Sequence, residues 1–122
     1  MTEGNLKTLT LFLATTPYAS ENTHTALQLA RAALDKGYAV NLFASADGVH
    51  NFTQDQSPKG LPDAGKGFAE LMARGLRVEL CGTCLNFRGI GANDILPGSQ
   101  PSTMKRLFGL MKSSDVFITL GS

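Results

Sequence analysis

Two cysteines, Cys81 and Cys84, stand as C-x-x-C at the end of the apolar run in "VELCGTCLNFRGI", and they are the only cysteines in the 122-residue chain. Two thiols three residues apart suit four roles: a disulfide couple, part of a metal site, a nucleophilic thiolate, or the packing of small apolar side chains. Zinc would need two further ligands, and only His24 and His50 could complete the set. Their spacing specifies no ligand set, so no metal is expected. A thioredoxin-like dithiol also follows a strand and opens a helix. Domains of that type commonly carry the motif after an early strand, whereas here it lies two-thirds along the chain.

The neighbours of the pair extend these possibilities. Gly82 and Thr83 form a sharp turn that would bring backbone N–H groups to the sulfur of Cys81. Gly82, Gly89 and Gly91 lack both the order of a dinucleotide fingerprint and the lysine of a phosphate-binding loop, so a turn at a helix boundary is the simpler reading. Arg88 suits an anionic substrate group or a thiolate, and equally a solvated charge at a helix end. In "ADGVHN", Asp47 and His50 offer an acid, a base or an orienting hydrogen bond, with a surface or capping role as the alternative for His50.

These residues must be positioned by the elements around them. "LKTLTLFLAT" (6–15) reads as a buried strand that Pro17 stops, and residues 22–36 recur apolar at Ala26, Leu27, Ala30, Ala33 and Leu34, a helix with Asn22 or Thr23 as cap and Gly37 past its end. "YAVNLFAS" (38–45) is a second strand, followed by a long Gly- and Pro-rich loop of the kind that is functional or mobile. A short helix "FAELMARG", a third strand "LRVELC" (76–81), a helix "QPSTMKRLFGLMKSS" and a last strand "DVFITLGS" (115–122) complete the chain. Strands alternating with helices predict an α/β fold: a three-layer α/β/α sandwich around a mostly parallel sheet of four to five strands. In such sheets the working site lies at the carboxyl ends of the strands, where Cys81 ends the third. Cys81 is therefore expected to emerge at that edge, with Cys84 packed inward.

Length predicts a single domain over residues 1–122. Eleven basic residues against ten acidic ones give a net charge of +1, which offers no argument for nucleic acid or an acidic membrane surface. No apolar run reaches the roughly 18 residues of a spanning helix. The stretch 9–20 reads as a strand rather than a secretory signal, because Glu3 precedes it and β-branched residues interrupt it. A cytoplasmic protein is expected, and in a reducing compartment two cysteines point to redox, metal or catalytic use rather than a staple.

The whole chain resembles the DsrE/TusD-like (DsrE/DsrF-like) sulfur-relay family. The resemblance is carried by "TPYASENTHTALQLARAALDKGYAV", "FASADGVHN", "VELCGTCLNFRGI" and the terminal "SSDVFITL", and by the spacing from Cys81 to the pair Arg88-Gly89. It implies a sulfur carrier or sulfurtransferase that accepts a sulfane sulfur as a persulfide on Cys81 and passes it to an acceptor thiol, in sulfur oxidation or thiolation, without a cofactor. It also implies donor and acceptor proteins with reactive thiols, and assembly as a trimer or hexamer, of one chain or of related subunits. Cys84 departs from the simplest family pattern and is expected to act as a resolving or tuning thiol. The rival readings are a dithiol–disulfide oxidoreductase using Cys81 and Cys84 together and a non-catalytic subunit of a related hetero-oligomer.

Overall fold

The computed structural model describes residues 7–15, 21–54 and 64–121. The elements run β1 (Thr8–Leu13), α1 (Asn22–Asp35), β2 (Ala39–Ala44), a 3-10 segment (Ala46–Phe52), α2 (Ala64–Ala73), β3 (Arg77–Cys81), α3 (Gly82–Phe87), a 3-10 turn (Ala92–Asp94), β4 (Gln100–Ser102), α4 (Met104–Ser113) and β5 (Val116–Leu120). The strands form one sheet in the order β4-β3-β2-β1-β5, and every neighbouring pair is parallel. This is the expected α/β architecture, with five strands.

Period-two alternation sorts the side chains of each strand to opposite faces. Leu9, Leu11 and Leu13 of β1, Val40, Leu42 and Ala44 of β2, and Val78 and Leu80 of β3 join a core with Ala26, Leu27, Ala30 and Ala33 of α1 and Phe68 and Leu71 of α2. The intervening residues Phe43 and Cys81 pack with Leu107 and Leu110 of α4 on the other face. The polar members of that face pair with one another: Asn41 Nδ2 donates to Thr10 Oγ1 at 3.4 Å, and Thr10 also bonds Ser114.

Two expectations need correcting. The helix expected from Gln100 begins at Met104, because Gln100–Ser102 pair with β3 as a three-residue edge strand and Thr103 caps α4 by accepting the Arg106 N–H at 3.2 Å. Pro101 fits there because an edge strand leaves one side of its backbone unpaired. The second concerns α1, whose N-cap is Glu21 without a side-chain cap bond. Thr23 is instead buried inside the first turn, where its hydroxyl donates to Asn51 Oδ1 at 2.6 Å.

The loop expected after β2 is in part a 3-10 segment, and its residues 55–63 lie outside the described residues, as do residues 16–20. No helix among the described residues is long and apolar enough to cross a membrane.

Candidate functional site

The site is built where β2 and β3 end side by side. β3 stops at Cys81, whose Sγ accepts the Cys84 N–H at 3.4 Å and so caps α3. The helix lasts only six residues. Gly89, at φ +67°, adopts the left-handed conformation that turns the chain out of a helix, and the Ile90 N–H returns to Leu85 O at 3.0 Å. The Arg88-Gly89 pair thus has a local cause: Arg88 is the last helical turn's boundary residue, and Gly89 supplies the backbone geometry that ends it.

Cys81 does not emerge at the edge as expected, while Cys84 packs against both core clusters. Cys81 is only 4% exposed and lies among Phe43, Leu107 and Leu110, whereas Cys84 is a partly exposed residue. The physical reason is strand alternation. Cys81 falls in phase with Glu79, on the α4 face, so that helix covers it. Cys84, one turn on, swings back toward the end of β2.

There Cys84 meets a polar hollow. Ala46 N–H donates to its Sγ at 3.1 Å, and the Ser45 hydroxyl lies 3.5 Å from the same atom. Arg88 donates through Nη1 to Cys84 O at 3.2 Å and holds Asp47 Oδ1 through Nε at 3.0 Å and Nη2 at 2.9 Å. Asp47 and Arg88, which sequence could only nominate separately, are one ion pair that bridges the 3-10 segment to α3.

Burial disfavours a thiolate at both sulfurs. At Cys81 burial prevails and, with a thiol hydrogen shared toward Cys84, pushes its pKa up, against the Cys84 and Thr83 backbone N–H groups. At Cys84 burial is outweighed by Ser45, Cys81, the Ala46 N–H and the charge of Arg88, which together bring the thiol pKa down. The surroundings therefore favour ionisation at Cys84 over Cys81.

The hollow is held from three sides. Ser45 N–H donates to Leu13 O at 3.0 Å, and Gly48 sits so close to that carbonyl that an added Cβ would lie 2.1 Å from its oxygen. Only glycine fits. Asn51, fully buried, donates to Thr15 O at 2.9 Å and to Gly48 O at 2.8 Å while accepting from Thr23. Beyond it, Leu96 N–H donates to Phe52 O and Gln54 N–H to Asp94 O, both at 2.8 Å.

The remaining candidates lie apart. His50 is half-buried and enters the described network through its carbonyl, which accepts Thr53 Oγ1 at 3.1 Å. His24 is exposed on α1. No cluster of three or more His, Cys, Asp or Glu side chains occurs among the described residues. Gly82 opens α3 rather than forming a separate turn, and it lines an open cleft of about 490 Å³ with Thr83, Asn86, Ser102 and Thr103, on whose wall neither cysteine appears. Sequence reasoning missed Ser45, Ala46 and Asn51. They lie at the start of the stretch read as a long loop, and no sequence pattern announces that an alanine N–H will face a sulfur 38 residues away.

The fold and the sequence have relatives among known proteins. An uncharacterized protein of Methanocaldococcus jannaschii is 31% identical over 110 residues, covering 90% of this chain and 96% of its own. One from Methanopyrus kandleri is 31% identical over 114 residues, covering 93% of this chain and 94% of its own. The crystal structure of the YchN protein from E. coli superposes with a TM-score of 0.88 at 26% identity, covering 93% of this chain and 99% of that one. A protein of unknown function from Methanobacterium thermoautotrophicum shares the fold, with a TM-score of 0.77 at 13% identity over 92% of this chain and 98% of its own. The model of the DsrE/DsrF-like family matches residues 7–120, so the strand-end dithiol, the Arg88-Gly89 stop and the parallel sheet are features of a chain that belongs to the DsrE/DsrF-like family, whose members are in general sulfur-relay components.

Proposed function

We propose that this protein accepts a sulfane sulfur as a cysteine persulfide on the Cys81–Cys84 turn and passes it to an acceptor thiol, in a relay that serves sulfur oxidation or thiolation. One observation carries the reading: two free thiols share a single turn, and fixed donors favour the thiolate at one of them. A thiolate attacks the outer sulfur of a persulfide donor, the donor's S–S bond breaks, and the donor leaves as its own thiolate. Delivery is the same exchange in reverse, with the acceptor thiolate attacking and the carrier thiolate leaving. No net oxidation occurs. A thiol of lowered pKa serves both directions, being more readily ionised and a better leaving group. Family resemblance assigns the sulfur to Cys81, with Cys84 as auxiliary thiol.

The partners of this chemistry are donor and acceptor proteins with reactive thiols. A dithiol–disulfide oxidoreductase is the second reading, favoured by the reach of the two sulfurs across one turn. Intact mass after incubation with a persulfide donor separates the two. A carrier gains one sulfur atom that a reducing agent removes, and an oxidoreductase loses two hydrogens. A protein unchanged in mass refutes both.

A further inference from the structure

We propose that Cys84 is the thiol that meets the sulfur donor, seated in a polar hollow formed by Ser45 and Ala46, with Cys81 buried beneath it. This rests on the persulfide reading and departs from the role that family resemblance gives to Cys81.

Access is the first argument. A donor persulfide must bring its outer sulfur to the attacking atom in line with its own S–S bond, and Cys81, 4% exposed beneath α4, offers no such approach. Cys84 is the more open of the two.

The second argument is the construction of the hollow. Ala46 has φ +50°, making it the only non-glycine residue with positive φ among the described residues. A β-carbon in that region is strained by an amount on the order of 1 kcal/mol, and such strain persists where the surroundings over-determine it. Here they do: the Ser45 N–H bond to Leu13 O, the Gly48 N–H bond to Ser45 O at 2.8 Å, and the contact of Gly48 with the Leu13 carbonyl leave the chain little freedom. The product of that strain is an N–H aimed at Cys84 Sγ from 3.1 Å. A rigid donor of this kind stabilises a charge without having to reorganise when the charge appears.

The third argument is the set of charges around the sulfur. Arg88 stands on the same turn as Cys84, and its guanidinium is oriented by Asp47 rather than left to wander. The side-chain exposure of Arg88 is 27% against 60% for Asp47, so the cation is the more sheltered partner and the carboxylate faces solvent. Cys81 is tied to the same turn by accepting the Cys84 N–H at 3.4 Å.

In the reaction, the Cys84 thiolate attacks the outer sulfur of the donor, forming Cys84–S–SH as the donor S–S bond breaks. The donor thiolate takes a proton from water.

Two measurements test the assignment. The first is limiting alkylation with iodoacetamide across a pH series, resolved by peptide mass spectrometry, which reports thiolate position without any sulfur chemistry. Cys84 should carry at least about tenfold more label than Cys81 at early times near neutrality. Ser45→Ala should move the Cys84 midpoint to higher pH, and Arg88→Gln should do the same, while Cys81 labelling stays slow. Preferential labelling of Cys81, or a Cys84 profile that ignores Ser45→Ala, overturns the hollow. The second is sulfur loading from glutathione persulfide: Cys81→Ser should load and Cys84→Ser should not, and the opposite result returns the carrier role to Cys81. If alkylation behaves as expected yet no variant, nor the wild type, gains sulfur, the hollow stands and the persulfide function fails.

Discussion

The two faces of the sheet are unequally covered. Among the described residues, twenty buried apolar residues form the cluster under α1 and α2, including Val49, Phe52, Leu85 and Ile95 from the segments beyond the strand ends, whereas four form the cluster under α4. Phe12 and Phe117 lie only partly buried beside that smaller cluster. The outer side of α4 exposes Met104, Phe108 and Met111, and Val116 follows at the start of edge strand β5. The lesson is a division of labour. One face supplies most of the hydrophobic stabilisation, and the other is thin, close to the chemistry, and apolar on its outside. Cys81 belongs wholly to the thin face, and Cys84 packs against both clusters at the point where they meet.

The largest effect should come from breaking the thick face. Phe68 is fully buried against Phe52, with ring centroids 4.5 Å apart. Phe68→Ala should cost about 3–5 kcal/mol, from lost transfer energy and a cavity that α1 and α2 cannot close. Urea denaturation measures it. A loss near 1 kcal/mol would mean that this face is not the principal core.

On the thin face the same kind of truncation should cost less. Leu110→Ala should destabilise by about 2 kcal/mol, the low end for a buried leucine, because α4 can settle onto a shallow cluster and partly fill the gap. If it costs as much as Phe68→Ala, the asymmetry between the faces is only one of area, not of stability.

The fold was largely legible because parallel strands bury both faces and leave strong apolar runs. Leu9, Leu11 and Leu13 announced β1 as surely as the Ala and Leu positions of 26–34 announced α1. The strand β4 was not legible. Gln100, Pro101 and Ser102 carry no β signal, and they pair only because β3 offers an open edge. The site was half legible. A C-x-x-C at a strand end, an Asp and an Arg could be nominated from residue type, but their joining into one ion pair depends on β2 and β3 lying adjacent. Which cysteine is buried was not legible, since strand phase had to be set by neighbours before Cys81 could be assigned to the α4 side. Asn51 shows the same limit. A buried asparagine joining three separate stretches of chain looks in sequence like any loop residue. Asn51→Ala should cost about 1–3 kcal/mol by leaving Thr15 O and Gly48 O without their donor, and should loosen the hollow around Cys84 as well. Denaturation that shows no loss would make the Asn51 clamp incidental.

The exposed apolar side of α4 sharpens the comparison in a different way. Four large apolar residues on one helix and the adjoining strand edge suit burial in an assembly, and the protein should sediment heavier than its 13.0 kDa chain at tens of micromolar. Phe108, 58% exposed, lies outside both core clusters, so Phe108→Glu should dissociate the assembly while changing the unfolding free energy of the dissociated chain by no more than about 0.5 kcal/mol. A wild-type monomer at that concentration would leave the thin face simply solvated.

The smallest effect is the one that opposes the two thiols directly. Where the unfolded chain holds more protons than the folded one, stability rises with pH, and where it holds fewer, stability falls. Cys84 has its folded pKa lowered, so its contribution is fully present above the ordinary thiol pKa and is lost as pH falls through the lowered value. Cys81 has its folded pKa raised, so its contribution is present below the ordinary value and is lost as pH rises through the raised one. The windows lie on either side of the ordinary thiol pKa and have opposite slopes. Thermal unfolding under reducing conditions, compared at each pH between wild type and single serine variants, isolates them from other titrating groups. Cys84→Ser should remove a rise on the acid side, and Cys81→Ser should remove a fall on the alkaline side. If the two variants exchange these signatures, the thiolate belongs to Cys81, and the polar hollow at Ser45 and Ala46 surrounds the wrong sulfur.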